Sequence, residues 1–394
     1  MSTPIKPGTP DPHDFLGIDA LLDPEEKLLR DTVRRFVADR ILPDVADWFE
    51  AGVFPKEMAR EMGALGLLGM HLEGYGCAGT TAVQYGLACT ELEAGDSGAR
   101  SFASVQGSLS MFPIWAFGSE EQKRDWLPPM AAGERIGCFG LTEADSGSDP
   151  SSMRTNARRD GDDWVLNGSK MWITNGGIAD VAVVWALTDE GIRGFLVPTD
   201  TPGFSTNDIH QKLSLRASVT SELVLNDVRL PGDAVLPGVV GMKGPLSCLN
   251  EARFGILFGV IGAARACYEA ALRYSQDRAQ FDKPIAAFQL TQRKLVDMMV
   301  GINRGMLVAL HLGRKKDAGT LNAAQISFGK LDNVRMALDV ARSARSVLGA
   351  NGITLEYPVI RHMNNLESVF TYEGTNEIHT LILGQAITGE NAFS

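Results

Sequence analysis

Basic residues are outnumbered in this chain: 37 Lys and Arg stand against 48 Asp and Glu, a net charge of −11 over 394 residues. Nucleic acid and anionic membrane both need a basic face, so neither is expected as a main partner, although local basic sites for phosphates stay open. Cysteine is scarce. The five (Cys77, Cys89, Cys138, Cys248, Cys267) are odd in number and form no Cys-x-x-Cys pair, and the six histidines show no metal-ligand spacing. A disulfide framework and a zinc site are thereby disfavoured, and a reducing compartment fits. The longest apolar run, Phe254 to Ala264, falls well short of a membrane span of roughly 20 residues. Residues 2–14 carry neither an apolar signal core nor an Arg-rich amphipathic pattern. Residues 1–18 read as a loose leader, and a cytoplasmic location is expected.

What is present divides into three textures. Over 19–135 the pattern is helical: Leu29, Val33, Phe36 and Val37 share one stripe of the segment after Pro24. Over 136–237 short β-rich runs such as Val181–Ala186 alternate with turn signals, among them Asn167-Gly168, Asn175-Gly176-Gly177, Pro202-Gly203 and Asn226-Asp227. Over 238–394 long helical patterns return, including Thr291–Leu312 and Asn322–Leu348. Helices, antiparallel strands, then helices make an α+β chain of three domains.

One motif misleads. Gly74-Tyr75-Gly76-Cys77-Ala78-Gly79 fits G-x-G-x-x-G, but the segments before it are helical. A dinucleotide site needs a parallel sheet feeding that turn, so these residues read as a Gly-rich loop.

Four further patches have residue types suited to chemistry, each of which also reads as ordinary structure. Cys138 to Asp149 offers hydroxyls and loop N–H groups that suit a polar ring edge or phosphate. Trp172 and Thr174 flank Ile173 at a strand end, an aromatic plate beside a hydroxyl. Arg278-Ala279-Gln280-Phe281, with Gln289, suits a pyrophosphate. Glu93, Ser97, Arg100 and Ser104 fall at offsets of four, three and four, on one face if helical. Alternatively Asp96-Ser97-Gly98 breaks the helix and caps a new one. An Arg with serines in a cleft can receive a carboxylate.

Near the C-terminus, Thr371-Tyr372-Glu373-Gly374-Thr375-Asn376 places an acid on a Gly-bearing turn, with Thr375 or Asn376 able to cap the next helix. A carboxylate so held can take a proton from carbon once a substrate excludes water. An ordinary loop Glu is the competing reading.

These segments, in this order, resemble the acyl-CoA dehydrogenase family from about Leu21 onward. The likeness rests on Leu141-Thr142-Glu143 with Gly147-Ser148-Asp149, Trp172-Ile173-Thr174-Asn175, Arg278-x-Gln280-Phe281, Leu348-Gly349-Ala350-Asn351-Gly352 and Tyr372-Glu373-Gly374-Thr375. It implies an N-terminal helical domain, a middle antiparallel β-barrel-like domain, and a C-terminal four-helix bundle that builds a homotetramer. It further implies FAD bound without a Rossmann fold and shared between subunits. Flavin contacts would come from Phe139, Gly140, Leu141, Thr142 and Ser148, with Trp172 stacked on the ring beside Ile173 and Thr174 near N5. A neighbouring subunit would add Arg278, Phe281, Gln289 and Ser346-Val347-Leu348-Gly349-Ala350, with Thr375 and Glu377 completing the site. Glu373 becomes the base that removes the α-proton while the β-carbon yields a hydride. The Glu373 N–H and a ribityl hydroxyl would hold the thioester oxygen, and electrons would leave to an electron-transfer flavoprotein.

Within the family the likeness is strongest to the branch acting on glutaryl-CoA, through Asp96-Ser97-Gly98-x-Arg100-Ser101, Ser104-Val105-Gln106, Cys248-Leu249-Asn250 and Ile382-Leu383-Gly384-Gln385. Arg100 and Ser101 would then hold the distal carboxylate, with Glu93, Ser104 and Tyr372 lining that end. Leu246, Asn250 and Arg253 would contact CoA, and Ser148 also counts among the substrate contacts. Oxidation followed by loss of CO2 would give crotonyl-CoA. Ala99, Ala144, Asp282 and Asn376-Glu377 depart from the family pattern. Ala99 reshapes the acyl end, so another short or branched acyl group stays open, as does an oxygen-using oxidase.

Overall fold

The computed structural model describes residues 10–393. Among the described residues, seven α-helices come before the sheet: α1 (Pro24–Phe36), α2 (Val45–Ala51), α3 (Met58–Ala64), α4 (Ala82–Gly95), α5 (Ser97–Ser104), α6 (Phe112–Phe117) and α7 (Glu120–Ala131). Seven strands follow: β1 (Gly137–Gly140), β2 (Asn156–Asp160), β3 (Asp163–Thr174), β4 (Val181–Thr188), β5 (Gly191–Pro198), β6 (Phe204–Asp208) and β7 (Thr220–Leu230). Then come α8 (Lys243–Asp277), a hairpin of β8 (Ala279–Gln280) and β9 (Lys283–Pro284), α9 (Gln289–Asp317), α10 (Ala323–Leu348), α11 (Val359–Thr371) and α12 (Asn376–Thr388).

Local chemistry explains the boundaries that matter. Asp23 and Glu26 form a capping box with Pro24 at the first helical position, which starts α1. Asp96 is extended (φ −164°, ψ 144°) and its carboxylate accepts from the Gly98 N–H at 2.6 Å, so α4 stops and α5 restarts with Arg100 near its beginning. Of the two readings of this stretch, the broken helix is the one observed. Gly98 permits it, because a Cβ there would lie 1.9 Å from Ala217 O.

The sheet runs β1-β4-β2-β3-β7-β6, with β5 on β4. It is mixed, not antiparallel throughout: β1 pairs parallel with β4, and β2 meets β4 in parallel at Asn156 and Leu187. The β2–β3 hairpin is inserted between β1 and β4, so this pair is joined by a crossover rather than a tight turn. Two of the expected turns lie inside strands. Asn167-Gly168 sits at a bulge of β3, and Asn226-Asp227 lies opposite in β7. Asn167 Nδ2 donates to Asp227 Oδ1 at 2.9 Å and the Asp227 N–H donates back to Asn167 Oδ1 at 2.9 Å, so the pair satisfies itself across the ladder.

The helical blocks are not independent. One core joins α1, α4 and α5 to α8, α9, α10 and α11 through residues such as Val33, Leu92, Phe258 and Leu338. By length and composition α8 and α9 are each apolar enough to cross a membrane, although the apolar stretch of α8 is 72% buried inside this fold, as in a core helix. Residues 11–18, expected as part of a loose leader, are tied down: Asp14 accepts from the Ile18 N–H at 2.7 Å, and Tyr268 Oη donates to Pro12 O at 3.0 Å. Residues 1–9 of that leader lie outside the described residues.

Glu91 on α4 ties the two helical blocks together. Its carboxylate accepts two bonds from Arg34 (both 3.0 Å) and two from Arg265 (2.7 and 2.6 Å), and it is 2% exposed. Burial pushes its pKa up, but Arg265 and Arg34 outweigh burial and hold it at about 2. Glu91→Gln leaves two guanidinium groups competing for one neutral amide and should destabilise the fold by about 3 kcal/mol, at the low end for a broken buried pair because Arg34 is half exposed. Because the folded pKa is depressed, the stabilisation is present above the ordinary carboxyl value of 4.5 and fades as pH falls through about 2. Thermal unfolding from pH 7 to pH 2 should therefore show a shallower acid dependence in Glu91→Gln than in the parent.

Candidate active site

Glu373 stands on a turn that is locally unfavourable. It adopts φ 54°, and Gly374 adopts φ 96°. A non-glycine residue in this region costs about 1–2 kcal/mol, so neighbouring groups must hold it. They do so through three successive carbonyls. Lys330 of α10 donates to Tyr372 O and, at 2.6 Å, to Gly374 O; between them Arg253 of α8 donates from Nε to Glu373 O at 2.7 Å. Thr375 then caps α12, its hydroxyl accepting from the Ile378 N–H at 3.2 Å. Glu373 Oε2 is buried without a hydrogen-bond partner. Burial raises the Glu373 pKa, opposed by Arg100, Lys330 and Arg253. A dry carboxylate with a raised pKa is a stronger base than one in water.

Beside it lies a second buried group. Arg100 is 0% exposed; its Nε donates to Glu93 Oε2 at 2.7 Å and its Nη2 to Tyr372 Oη. Glu93 is fixed in turn by Ser97, whose hydroxyl donates to Oε1 at 2.8 Å. Ser101 Oγ lies 3.4 Å from Tyr372 Oη. Two polar atoms are left over: Arg100 Nη1 and Ser104 Oγ are both buried and unpartnered. Buried donors are nearly always satisfied, so this pair is shaped to receive an acceptor from outside the chain. Folding thus brings Glu93, Arg100, Ser101, Tyr372 and Glu373 into one place, from α4, α5 and the turn after α11.

A third group fits a flat cofactor. Trp172 is 60% exposed and has φ 65°, where the β3–β7 register shifts between Lys170 and Ile173. Ile173 is buried and Thr174 is half-buried beside it. The Met171 N–H donates to Thr142 O at 2.8 Å, bringing the Leu141–Ser148 loop to this bulge. That loop is anchored from beneath: buried Lys170 donates to Glu143 Oε1 at 2.8 Å and to Leu141 O at 3.0 Å. Phe139 and Gly140 are buried on β1, Thr142 is half-buried and Ser148 exposed. An aromatic face held out of the sheet, with half-buried hydroxyls next to it, suits the flavin ring.

Most of the remaining expected cofactor contacts are exposed. Arg278, Phe281 and Gln289 flank the β8–β9 hairpin, and Phe281 is 88% exposed. Phe281 (φ 52°) and Asp282 (φ 60°) form its two-residue turn, which needs left-handed backbone at both positions. Asp tolerates that conformation, which accounts for Asp282. Ser346 accepts from Lys294 Nζ at 2.7 Å at the end of α10; Val347 and Leu348 are buried, while Gly349 and Ala350 are exposed. Glu377 is exposed in the first turn of α12. Leu246 and Asn250 lie near the start of α8, exposed and half-buried. Arg253, expected with them on CoA, is buried: its Nε donates to the Glu373 carbonyl and its Nη1 to Asn250 Oδ1 at 3.3 Å.

Sequence reasoning missed Lys330. Its signal was legible as an exception: it lies on the stripe Ile326, Val334, Ala337 and Ala341, all buried, where a lysine has no surface to reach.

The chain belongs to the acyl-CoA dehydrogenase family, whose N-terminal, middle and C-terminal domains match residues 23–134, 138–228 and 240–388. It is 36% identical over 365 residues to the human mitochondrial short-chain specific acyl-CoA dehydrogenase, covering 91% of this chain and 88% of that one. A solved glutaryl-CoA dehydrogenase from Mycobacterium smegmatis superposes with a TM-score of 0.97 at 66% identity, over 98% of this chain and all (100%) of that one. A second such structure, in complex with FADH2, gives a TM-score of 0.97 at 63% identity, over 98% of this chain and 100% of that one. FAD is the cofactor, as in the family.

Gly259 of α8 tests the buried receptor from outside. A Cβ there would lie 2.2 Å from Glu93 Oε2 and 3.2 Å from Arg100 Nε. Gly259→Ala should displace the Glu93–Arg100 pair, costing about 1–3 kcal/mol in stability as for other overpacked sites. It should also raise KM for a diacid thioester more than for a monoacid one, read from steady-state kinetics with both.

Proposed function

We propose that this enzyme oxidises glutaryl-CoA at its α,β-carbons and then releases CO2 to give crotonyl-CoA. The observation that carries the diacid reading is Arg100: a guanidinium held at 0% exposure with one N–H pair free and Ser104 Oγ free beside it. Glu93 balances the charge, but in an apolar acyl pocket the unpartnered N–H pair would stay unsatisfied at a cost. A distal carboxylate accepts from both and removes that cost. The similarity to glutaryl-CoA dehydrogenase points the same way.

In this reading Glu373 takes the proton from the α-carbon. Bound FAD supplies the hydride acceptor for the β-carbon. Burial makes the Glu373 carboxylate basic, while Arg100, Lys330 and Arg253 keep it ionised enough to act. The electron pair released by the departing carboxylate passes along the conjugated carbons to the thioester, and the proton held by Glu373 returns to the chain terminus as CO2 leaves. Electrons then pass to an electron-transfer flavoprotein.

We also propose that the enzyme works as a homotetramer. Leu290, Val296, Val300 and Ile387 of α9 and α12 are 78, 52, 51 and 83% exposed, an apolar surface that a second copy would cover. The exposed Arg278 and Phe281 fit a flavin bound by a neighbouring subunit.

The test is anaerobic mixing with glutaryl-CoA, following flavin bleaching and product mass. Crotonyl-CoA with CO2 is expected; glutaconyl-CoA alone would remove the second step, and bleaching by butyryl-CoA only would overturn the diacid reading. Arg100→Leu should lower kcat/KM for glutaryl-CoA by roughly a hundredfold or more, consistent with losing a buried charge pair, and much less for butyryl-CoA. Glu373→Gln should lower kcat by about 10²–10⁴, the range for a general base, with all acyl-CoA substrates alike.

A further inference from the structure

The turn that carries Glu373 is held by a lysine that the reaction as written does not use. We infer that Lys330 is a positioning residue for the base: it fixes the left-handed Glu373 turn and sets how readily Glu373 ionises. This rests on Glu373 being the base.

Three observations support it together. Lys330 is 1% exposed in the middle of α10, on a stripe otherwise apolar. Its ammonium straddles Glu373, donating to the carbonyls of the residues before and after it, and lies 5.8 Å from the Tyr372 ring centroid. Arg253 holds the one carbonyl that Lys330 leaves, so the turn has no carbonyl free to relax toward a commoner conformation.

A structural clamp alone would not need a charge there. Neutral donors can satisfy carbonyls, and a buried ammonium is expensive. What the cation adds is a field on the Glu373 carboxylate. The charged or titratable groups facing that carboxylate are Arg100 from α5, Arg253 from α8, Lys330 from α10 and Glu93 from α4, with Tyr372 beside them. His379 of α12 also packs against the turn: its Nε2 lies 3.0 Å from where a Gly374 Cβ would be. Burial and the two nearby cations Lys330 and Arg253 push its pKa down to about 3, so it is neutral in the working range. Glu93 and Arg100 are paired with each other, leaving Lys330 and Arg253 as the cations without a carboxylate partner of their own.

Burial lowers the Lys330 pKa to about 7, opposed by Glu373 and assisted by Arg253 and Arg100, so an ionised Glu373 is what keeps the ammonium charged. Once Glu373 accepts the substrate proton, the ammonium loses its counter-charge. A proton held between these groups is then easier to return to carbon, which is what a base that must later act as an acid requires.

Three variants of the FAD-loaded enzyme test this: Lys330→Gln, which keeps neutral donors for the carbonyls; Lys330→Met, which removes donors and charge; and Lys330→Arg, which keeps the charge. In Lys330→Gln the acid limb of the kcat/KM profile should move up by about one pH unit, the lower end for losing an opposite charge nearby. The sign follows directly: without the cation Glu373 holds its proton more tightly, so activity is lost at higher pH. KM should change less than kcat. Lys330→Met should show the same shift with a larger fall in kcat, and Lys330→Arg should restore the limb towards the parent position. A merely structural lysine would lower Tm in Gln and Met without moving the limb, and that result overturns the inference. An unmoved limb in Lys330→Gln overturns it even if Lys330→Met fails to fold. Glu373→Gln in the same series separates the two ideas: if it stays active the base assignment fails, whereas an inactive Glu373→Gln beside parental Lys330 variants sinks only the role of Lys330.

Discussion

The site depends on keeping charge in a place where water is scarce. Glu373, Glu93, Arg100, Arg253 and Lys330 converge from five parts of the chain, and all but Glu373 are nearly or fully buried. Each would be prohibitive alone, since desolvating an isolated ion costs several kcal/mol. Their mutual placement makes the set tolerable: Glu93 neutralises Arg100, and Arg253 and Lys330 share the carbonyl oxygens and the field of Glu373. With Lys330 protonated and both carboxylates ionised, the cluster carries one more cation than anion. A substrate that brings its own carboxylate balances it. In the proposed reading, substrate choice and base strength are coupled through the same charges.

Support for this cluster spreads outward into the fold. Asp96 interrupts the helix that would otherwise run from α4 into α5, and the same carboxylate accepts from Arg361 and, at 2.9 Å, from Asn365 of α11. The helix that carries Arg100 is therefore locked to the helix that leads into Glu373. On the opposite side Glu91 joins α4 to α1 and α8. The buried pairs act less as sources of net stability than as fixtures of register, so that α4, α5, α8, α10 and α11 present their polar side chains to one point.

The cofactor side uses a different device. A sheet face normally packs its large aromatics inward. The irregularity in β3 puts Trp172 into left-handed backbone and out of the sheet, and Lys170 and Glu143 beneath it hold the neighbouring loop. Thr142 and Thr174 come to the same rim because the Met171 N–H holds the Thr142 carbonyl and Thr174 ends the strand two residues after Trp172. On the far side, the β8–β9 turn keeps Phe281 exposed for the same backbone reason.

Much of this is legible in the sequence. The change from a helical to a strand period, and back, follows from where apolar residues recur. The Thr375 cap and the Asp96 break depend on local hydrogen bonds between residues two or three apart, which a sequence displays, whereas the Glu373 turn is signalled by Gly374 but held by Lys330 and Arg253 from other helices. Family likeness supplied what spacing could not, including the distal glutaryl carboxylate as the group expected at Arg100. Other features were out of reach. Asn167-Gly168 and Asn226-Asp227 look like turns by composition, and only their meeting across two strands makes them a bulge. The parallel β1–β4 pair depends on a crossover whose ends are some forty residues apart. Arg253 and Lys330 belong to helices whose sequences do not say which turn they will face. Local hydrogen bonding and periodicity are written in the chain itself. Which buried cation meets which carbonyl is decided only when distant helices pack, because burial and Coulomb energy depend on neighbours in space rather than in sequence.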